Sequence, residues 1–268
     1  MMPLENLLCT PFEIFKLITM KTSSILPVTI LGMFLFFMVS CGDQNDHNDM
    51  ETNDSAANDS TTNAATTTPA TSAIVTTPQN MLIVTHKVTD FDKWLTSYDA
   101  HDSLRLANGI HSYVIGRGVT DPNMILVATK VDDIEKAKAF GKSATLKQAM
   151  QKGGVTGKPV VNLTTMTYQD TGTISTDLRS QTTFTVKDWD NWQRSFDSSR
   201  QVRLDNGLVD RAYGHDADDN KKVTLVVGVT DTAKAKAFWK SDQLKQIRSR
   251  SGAIGEPNRF LFRIVKRY

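Results

Sequence analysis

Residues 88–159 align with residues 186–257 at a constant offset of 98 and without a gap, and about 27 of the 72 paired positions are identical. Val88-Thr-Asp-Phe-Asp-Lys-Trp94 returns as Val186-Lys-Asp-Trp-Asp-Asn-Trp192. Arg105-Leu-Ala-Asn-Gly109 returns as Arg203-Leu-Asp-Asn-Gly207, and Lys136-Ala-Lys-Ala-Phe140 as Lys234-Ala-Lys-Ala-Phe238. Gly154, Gly157 and Pro159 return as Gly252, Gly255 and Pro257. This is a duplicated domain. Two copies make a pair, not a solenoid, which needs at least three units to bury a continuous core.

One copy has a readable order of elements. Residues 81–88 are apolar and β-branched and predict a strand. Asp90 is placed to cap a helix that carries Phe91, Trp94 and Tyr98 at helical spacing. Asn108-Gly109 should end that helix, because Gly accepts the left-handed conformation of a C-cap. Strands are expected over 111–118 and 124–131, with Asp121-Pro122-Asn123 as the turn between them. Short helices follow over 133–140 and 143–152, the second capped by Ser143. Gly153-Gly154 breaks the chain before a last strand over 159–168. The second copy, 178–268, repeats this with strands over 178–186, 223–229 and 258–266, a helix capped by Asp188, and helices over 231–238 and 241–250. Residues 169–177 form a polar linker. The order is βαββαβ, the ferredoxin-like plan.

The N-terminal part reads as export machinery. Residues 25–39 are an almost purely apolar run, shorter than the ~20 residues of a membrane span and of the length of a signal-peptide core. Met38-Val39-Ser40-Cys41 closes it and resembles the bacterial lipobox, which implies cleavage after residue 40 and a lipid on Cys41. Met20-Lys21 gives a compact signal peptide of its own, so translation is expected to start at Met20. Residues 41–80 then form the lipidated cysteine and a tether. Residues 42–80 carry six acidic side chains and no Lys or Arg, and such a segment cannot offset its ordering entropy. Its span is on the order of 35 Å. Asp43, Asp46 and Asp49 resemble a surface-export signal of bacterial lipoproteins. The expected location is the cell envelope of a Gram-negative bacterium, lipid-anchored at the outer membrane. Cys9 and Cys41 are the two cysteines of the chain, so the repeats contain neither a disulfide nor a cysteine nucleophile.

The succession Asp-Phe-Asp-x-Trp, Arg-x-x-x-Gly, Asp-Pro-Asn, Ala-Lys-Ala-Phe, Ser-x-x-Leu-Lys and Gly-x-x-Gly-x-Pro resembles the dimeric α+β barrel superfamily, and within it the antibiotic-biosynthesis-monooxygenase-like proteins. The resemblance covers both copies. It implies an α+β fold: two tandem ferredoxin-like (βαββαβ) units packed sheet to sheet as an intramolecular pseudo-dimeric α+β barrel. A sheet with helices on one side leaves its other face to be covered, and here the second copy covers it. A monomer or a weak homo-oligomer is therefore expected. The superfamily includes cofactor-free monooxygenases and haem-linked enzymes, with the pocket usually between sheet and helices.

Candidate chemistry collects in the first copy. His86 shares an alternating strand face with Leu82 and Val84 and is a candidate base, or else a hydrogen-bonded core residue; Phe184 replaces it in the second copy. His101 and Arg105 lie one helical turn apart and could grip an anion, or else form a solvated face in which Asp102 pairs with Arg105. Trp94, Tyr98 and Tyr113 are candidate substrate contacts, although Trp94 and Tyr98 fit core packing as well. The histidines lack metal-ligand spacing, and no metal is expected. No cofactor is expected either; a lone histidine leaves haem open. Phosphate loops, nucleophile elbows and His-Glu-x-x-His are absent from the sequence. Residues 81–168 carry 11 basic and 8 acidic side chains and residues 179–268 carry 18 and 11. This suits anionic partners but lacks the aromatic interleaving of a nucleic-acid platform. The sequence reads as an exported, lipid-anchored module that binds a small molecule. A monooxygenase-type enzyme and a non-catalytic structural envelope protein are the alternatives.

Overall fold

A computed structural model describes residues 73–268. Residues 1–40, read as a signal segment with a start at Met20, Cys41, read as the lipidation site, and residues 42–72, read as tether, lie outside the described residues.

The strand over Ile74–Val75 (β1) and the start of the next at Gln79 extend the folded part into the segment read as tether. The first unit then runs β2 (Gln79–Val88), α1 (Phe91–Ala100), α2 (Asp102–Leu106), β3 (Ile110–Gly118), β4 (Met124–Val131), α3 (Ile134–Gly141), α4 (Ala144–Lys152) and β5 (Val155–Asp170). The second runs β6 (Leu178–Val186), α5 (Trp189–Ser198), α6 (Arg200–Asp205), β7 (Leu208–Asp216), β8 (Lys222–Val229), α7 (Thr232–Lys240), α8 (Asp242–Arg250) and β9 (Ala253–Arg267). Helix starts repeat with the sequence. Asp90 and Asp188 each accept the backbone N–H of the third residue on at 2.7 Å. Asp133 and Asp231 do so for α3 and α7, and Ser143 and Ser241 for α4 and α8. Each cap contributes about 1 kcal/mol.

One expected helix is two. The segment from Asp90 to Gly109 breaks at His101, and its counterpart breaks at Ser199. Side chains take the carbonyls of the last turn there. His101 Nδ1 meets Ser97 O at 2.6 Å and Arg105 Nη1 donates to Tyr98 O at 2.6 Å. In the second unit Ser199 Oγ donates to Ser195 O and Arg203 Nη1 to Phe196 O. Such bonds compete with the helical ladder and let the chain turn toward β3 and β7. A left-handed glycine follows each helix end, Gly109 at φ 66° and Gly207 at φ 71°, just past the caps at Ala107 and Asn206.

The sheet closes on itself. The order is β5-β2-β4-β3-β9-β6-β8-β7, with β7 returning to β5 and β1 added beside β5, all antiparallel. The seams β3–β9 and β5–β7 join the units. Helices cover the outer face of each half. Trp94, Ile115, Ile125 and Val127 pack under α1, and Trp192, Phe196, Tyr213 and Val223 under α5. The inner faces meet in a third cluster around Met81, Leu126, Met166 and Phe262. The C-terminus latches the halves together. Lys266 Nζ reaches Asp99 at 2.7 Å, Tyr268 donates its hydroxyl to Asp99, and its N–H goes to Tyr113 O.

Gly116 and Gly214 are counterparts at the offset of 98, one on each seam. A Cβ at Gly116 would meet the Phe262 ring, and one at Gly214 would meet the backbone carbonyl of Thr165. A ring can swing; a ladder carbonyl cannot. Gly214→Ala should therefore lower the unfolding free energy by roughly 1–3 kcal/mol, and Gly116→Ala by less, as read from urea midpoints. Equal, negligible losses would contradict the seam packing.

Candidate functional site

The residues singled out in the first unit do not converge on one site. His86 is 5 % exposed and packs on Trp94, ring centroids 5.4 Å apart. Both ring nitrogens are buried without a hydrogen-bond partner. Burial pulls its pKa down to about 4. The imidazole is thus neutral at pH 7 and a weak base, far from the near-neutral pKa that general-base catalysis favours. Phe184 makes the equivalent contact with Trp192 at 5.6 Å, so His86 occupies an aromatic packing position.

Arg105 is buried, its guanidinium 3.6 Å above the Tyr98 ring centroid, with bonds to Tyr98 O, Asp102 and Ser112. Tyr98 shares Ser112 Oγ at 2.9 Å. These contacts fix α1 and α2 onto β3. His101 is half-buried and held by Ser97 O. Trp94 belongs to the core under α1. Tyr113 faces the other way, into the barrel interior, separated from the rest by the sheet. Alternation sends Ser112 toward the helices and Tyr113 inward, and a β-bulge between Ser112 and Val114 leaves Val114 on the inner face beside Tyr113.

The second unit keeps this scaffold and adds a chamber. Arg203 lies 3.4 Å above the Phe196 ring centroid and forms a two-pronged pair with Asp210, both bonds 2.6 Å. Ser112 stands in the place of Asp210 in the first unit. Between the sheet and α5–α8 lies a cavity of about 90 Å³. Phe184, Trp192, Phe196, Phe238, Trp239 and Leu244 give it a largely apolar wall. Arg203, Arg248 and Arg259 also line it, and no acidic side chain does. Arg203 is neutralised by Asp210 from below. Arg259 sits 4.3 Å from the Trp239 ring centroid, and its Nε is buried without a partner. Arg248 donates to Gly255 O at 2.6 Å. Burial lowers the pKa of both, and Arg248 lowers that of Arg259 further. Two guanidiniums thus converge on an aromatic chamber without a carboxylate between them.

The motifs of the sequence do not single out this constellation. Its signal lies in the mismatches between the copies: Trp239, Arg248 and Arg259 stand where the first copy has Gly141, Met150 and Val161. Histidine is rarer than arginine and stands out by type, but neither His86 nor His101 lines the chamber.

No family model and no curated protein matches the chain. Solved structures do. An anthrone oxidase-like protein aligns over 72 % of this chain and 94 % of its own, with TM-score 0.50 and 14 % identity. That span exceeds one unit, so both units take part. The fold is that of the dimeric α+β barrels. A ferredoxin-fold protein related to antibiotic biosynthesis monooxygenases from Listeria monocytogenes aligns over 71 % of this chain and 97 % of its own, with TM-score 0.41 and 6 % identity. A haem-binding protein from Thermus thermophilus aligns over 72 % and 94 %, with TM-score 0.43 and 11 % identity. At these identities the likeness is one of fold. Haem does not fit the two cavities described for this barrel: each is about 90 Å³ and neither is lined by a histidine, against the ~300–1,000 Å³ usual for cofactor sites.

The buried imidazole has a measurable consequence. In the unfolded chain His86 takes up a proton near pH 6.5, whereas the folded protein resists it until about pH 4. The unfolded state therefore binds more protons in that window, and stability present in full above pH 6.5 is lost as the pH falls toward 4. Between pH 7 and 5 the loss from this residue should be about 2 kcal/mol. His86→Phe, the residue found at the equivalent position, should abolish that part of the pH dependence in urea unfolding; an unchanged slope would refute the assignment.

Proposed function

We propose that the protein is a small-molecule-binding module whose second unit takes an aromatic anion in the chamber between its sheet and helices. The observation that carries this reading is the buried, unpartnered Nε of Arg259 beside Trp239, with Arg248 at the same wall and no carboxylate in the lining. Uncompensated cations in an apolar pocket are costly, and a carboxylate or phenolate on a ring offsets that cost while the ring fills the aromatic wall. The chamber as it stands has about 90 Å³, less than the ~150 Å³ apolar cavity that holds benzene in an engineered protein. Helix α8 contributes no fully buried residue, so a small outward shift of it enlarges the chamber cheaply.

Binding is favoured over acid–base catalysis because the chamber lining contains no histidine, carboxylate, lysine or thiol. Benzoate titrated into the full-length protein should quench tryptophan fluorescence, and benzyl alcohol should do so far less. Arg259→Val, the residue of the first copy, should weaken benzoate by about tenfold or more, equivalent to at least about 1.4 kcal/mol. Absence of any benzoate response, or an unchanged response in Arg259→Val, would overturn the reading. Oxygen uptake driven by the bound compound would replace it with the monooxygenase-type alternative.

We propose also that Cys41 carries the lipid that holds this module on the cell envelope. The support is the order of apolar run 25–39, Ser40 and Cys41 in the sequence. Cys41→Ser should lose palmitate labelling and move the protein into the soluble fraction; labelling that persists in the variant would refute the site.

A further inference from the structure

The barrel has an interior of its own, and the two units furnish it unequally. Eight strands enclose a space just wide enough to be filled by side chains or to hold one small ligand. The first unit contributes an apolar wall of Met81, Ile83, Val114, Leu126 and Met166, joined by Phe262 from β9. At the offset of 98, the counterparts of Met81, Ile83 and Tyr113 are Arg179, Gln181 and Arg211. These three line the same cavity, about 90 Å³ in volume. Strand alternation explains their direction. Arg179 and Gln181 pair with Gly228 and Val226 on β8, while Thr182 and Phe184, on the opposite face of β6, line the sheet–helix chamber.

The polar groups facing this cavity are incompletely matched. Arg211 is satisfied by Asp170 at 3.1 Å and by the carbonyl of Gly172. Arg179, 4 % exposed, gives Nη1 to the carbonyls of Thr176 at 2.7 Å and Leu178 at 3.0 Å. Among the described residues no carboxylate forms an ion pair with it. Gln181, also 4 % exposed, has a buried Nε2 without a partner. Burial, together with Arg211 and Arg267 and against a smaller opposing effect of Asp177, lowers the pKa of Arg179 to about 10. Asp170 is the carboxylate of the lining, against two buried guanidiniums and the exposed Arg267 at the mouth. The fold itself does not demand these groups, since the first unit builds the same wall from Met81 and Ile83.

We propose that the barrel interior binds a short-chain carboxylic acid, its carboxylate on Arg179 and the Gln181 amide, its tail among Met81, Ile83, Met166 and Phe262. The planar guanidinium matches a carboxylate, and the orphan amide supplies one further donor. The volume of about 90 Å³ is below the ~150 Å³ of an apolar cavity that holds benzene, which limits the tail to a short chain. This site lies on the opposite face of the sheet from the aromatic chamber and does not depend on it.

The test uses the full-length protein, with butyrate as probe and 1-butanol and inorganic phosphate as controls at constant ionic strength. Butyrate should raise the thermal midpoint progressively with concentration, as a ligand specific to the folded state does, and calorimetric titration should give one site per chain. Butanol, which lacks the charge, and phosphate, which lacks the tail, should have much smaller effects. Arg179→Met and Gln181→Ile, each restoring the residue of the first unit, should weaken butyrate at least tenfold. Arg179→Met should leave the ligand-free midpoint unchanged or higher, because an unpaired buried charge is removed. Arg259→Val should retain the butyrate response, which separates this site from the chamber. A wild-type protein indifferent to butyrate, an equal response to butanol or phosphate, or a response that survives in both interior variants would overturn the proposal.

Discussion

The closure of the sheet is the constraint on which everything else depends. Each unit is a four-stranded antiparallel sheet with helices on one face, and its other face carries Met81, Ile83 and Leu126 in one half and Phe260 and Phe262 in the other. Left open, such a face and its two edges would invite association. The seams β3–β9 and β5–β7 remove the problem at once: each barrel strand has a neighbour on both sides. Because the units share a chain, closure is intramolecular, and a linker of a few residues keeps the halves at high effective concentration. The demand is strict at the seams. Gly116 and Gly214 are retained in both copies where one strand presses on the next.

A duplicated scaffold lets one copy hold the fold while the other changes. The arginine beneath the first helix pair shows both halves of this. Arg105 and Arg203 have one structural role in common, since each stacks on an aromatic ring and holds the carbonyl that ends the first helix. Their further partners have diverged. Arg105 uses the half-exposed Asp102 and the hydroxyl of Ser112. Arg203 has a dedicated buried carboxylate, Asp210. A buried pair of that kind adds little net stability, yet losing one member leaves an isolated charge and is severe. The second unit is therefore the more committed of the two around its chamber, and it is there that Trp239, Arg248 and Arg259 enter.

The fold was legible because the signals that set it are local and occur twice. Asp90, Asp133 and Ser143 cap helices in the first copy and Asp188, Asp231 and Ser241 in the second. The glycines after Asn108 and Asn206 end them, and alternation marks the strands. What local pattern could not supply was the break at His101, which depends on side chains capturing carbonyls across the turn. Nor could it supply β1 at Ile74–Val75, a two-residue strand whose support is the distant end of β5. The site was less legible for a sharper reason. His86 and His101 stood out by chemical type, but type does not reveal whether a side chain faces a cavity or a neighbouring ring, and His86 faces Trp94. Arg248 and Arg259 are two among the 18 basic side chains of residues 179–268, and solvation is the ordinary expectation for charge.

That expectation fails at particular residues, and the failure bears on function. The second unit carries the larger excess of positive charge, and three of its arginines do not simply point into water. Arg179 is directed into the barrel, and Arg248 and Arg259 toward the chamber. None of them has a carboxylate partner among the described residues, and each has its pKa lowered by burial. At all three positions the first unit has an apolar residue: Met81, Met150 and Val161. The same backbone plan is thus built without the charge. A cation that the fold does not need, held where solvation is poor, lowers stability unless something compensates it. Among the described residues no carboxylate forms an ion pair with any of the three, Asp177 and Glu256 acting on Arg179 and Arg248 only at longer range, and in both places an apolar wall stands beside the guanidinium. An anion with an apolar body would compensate the charge in both places, which is the chemistry proposed for the chamber and for the barrel interior.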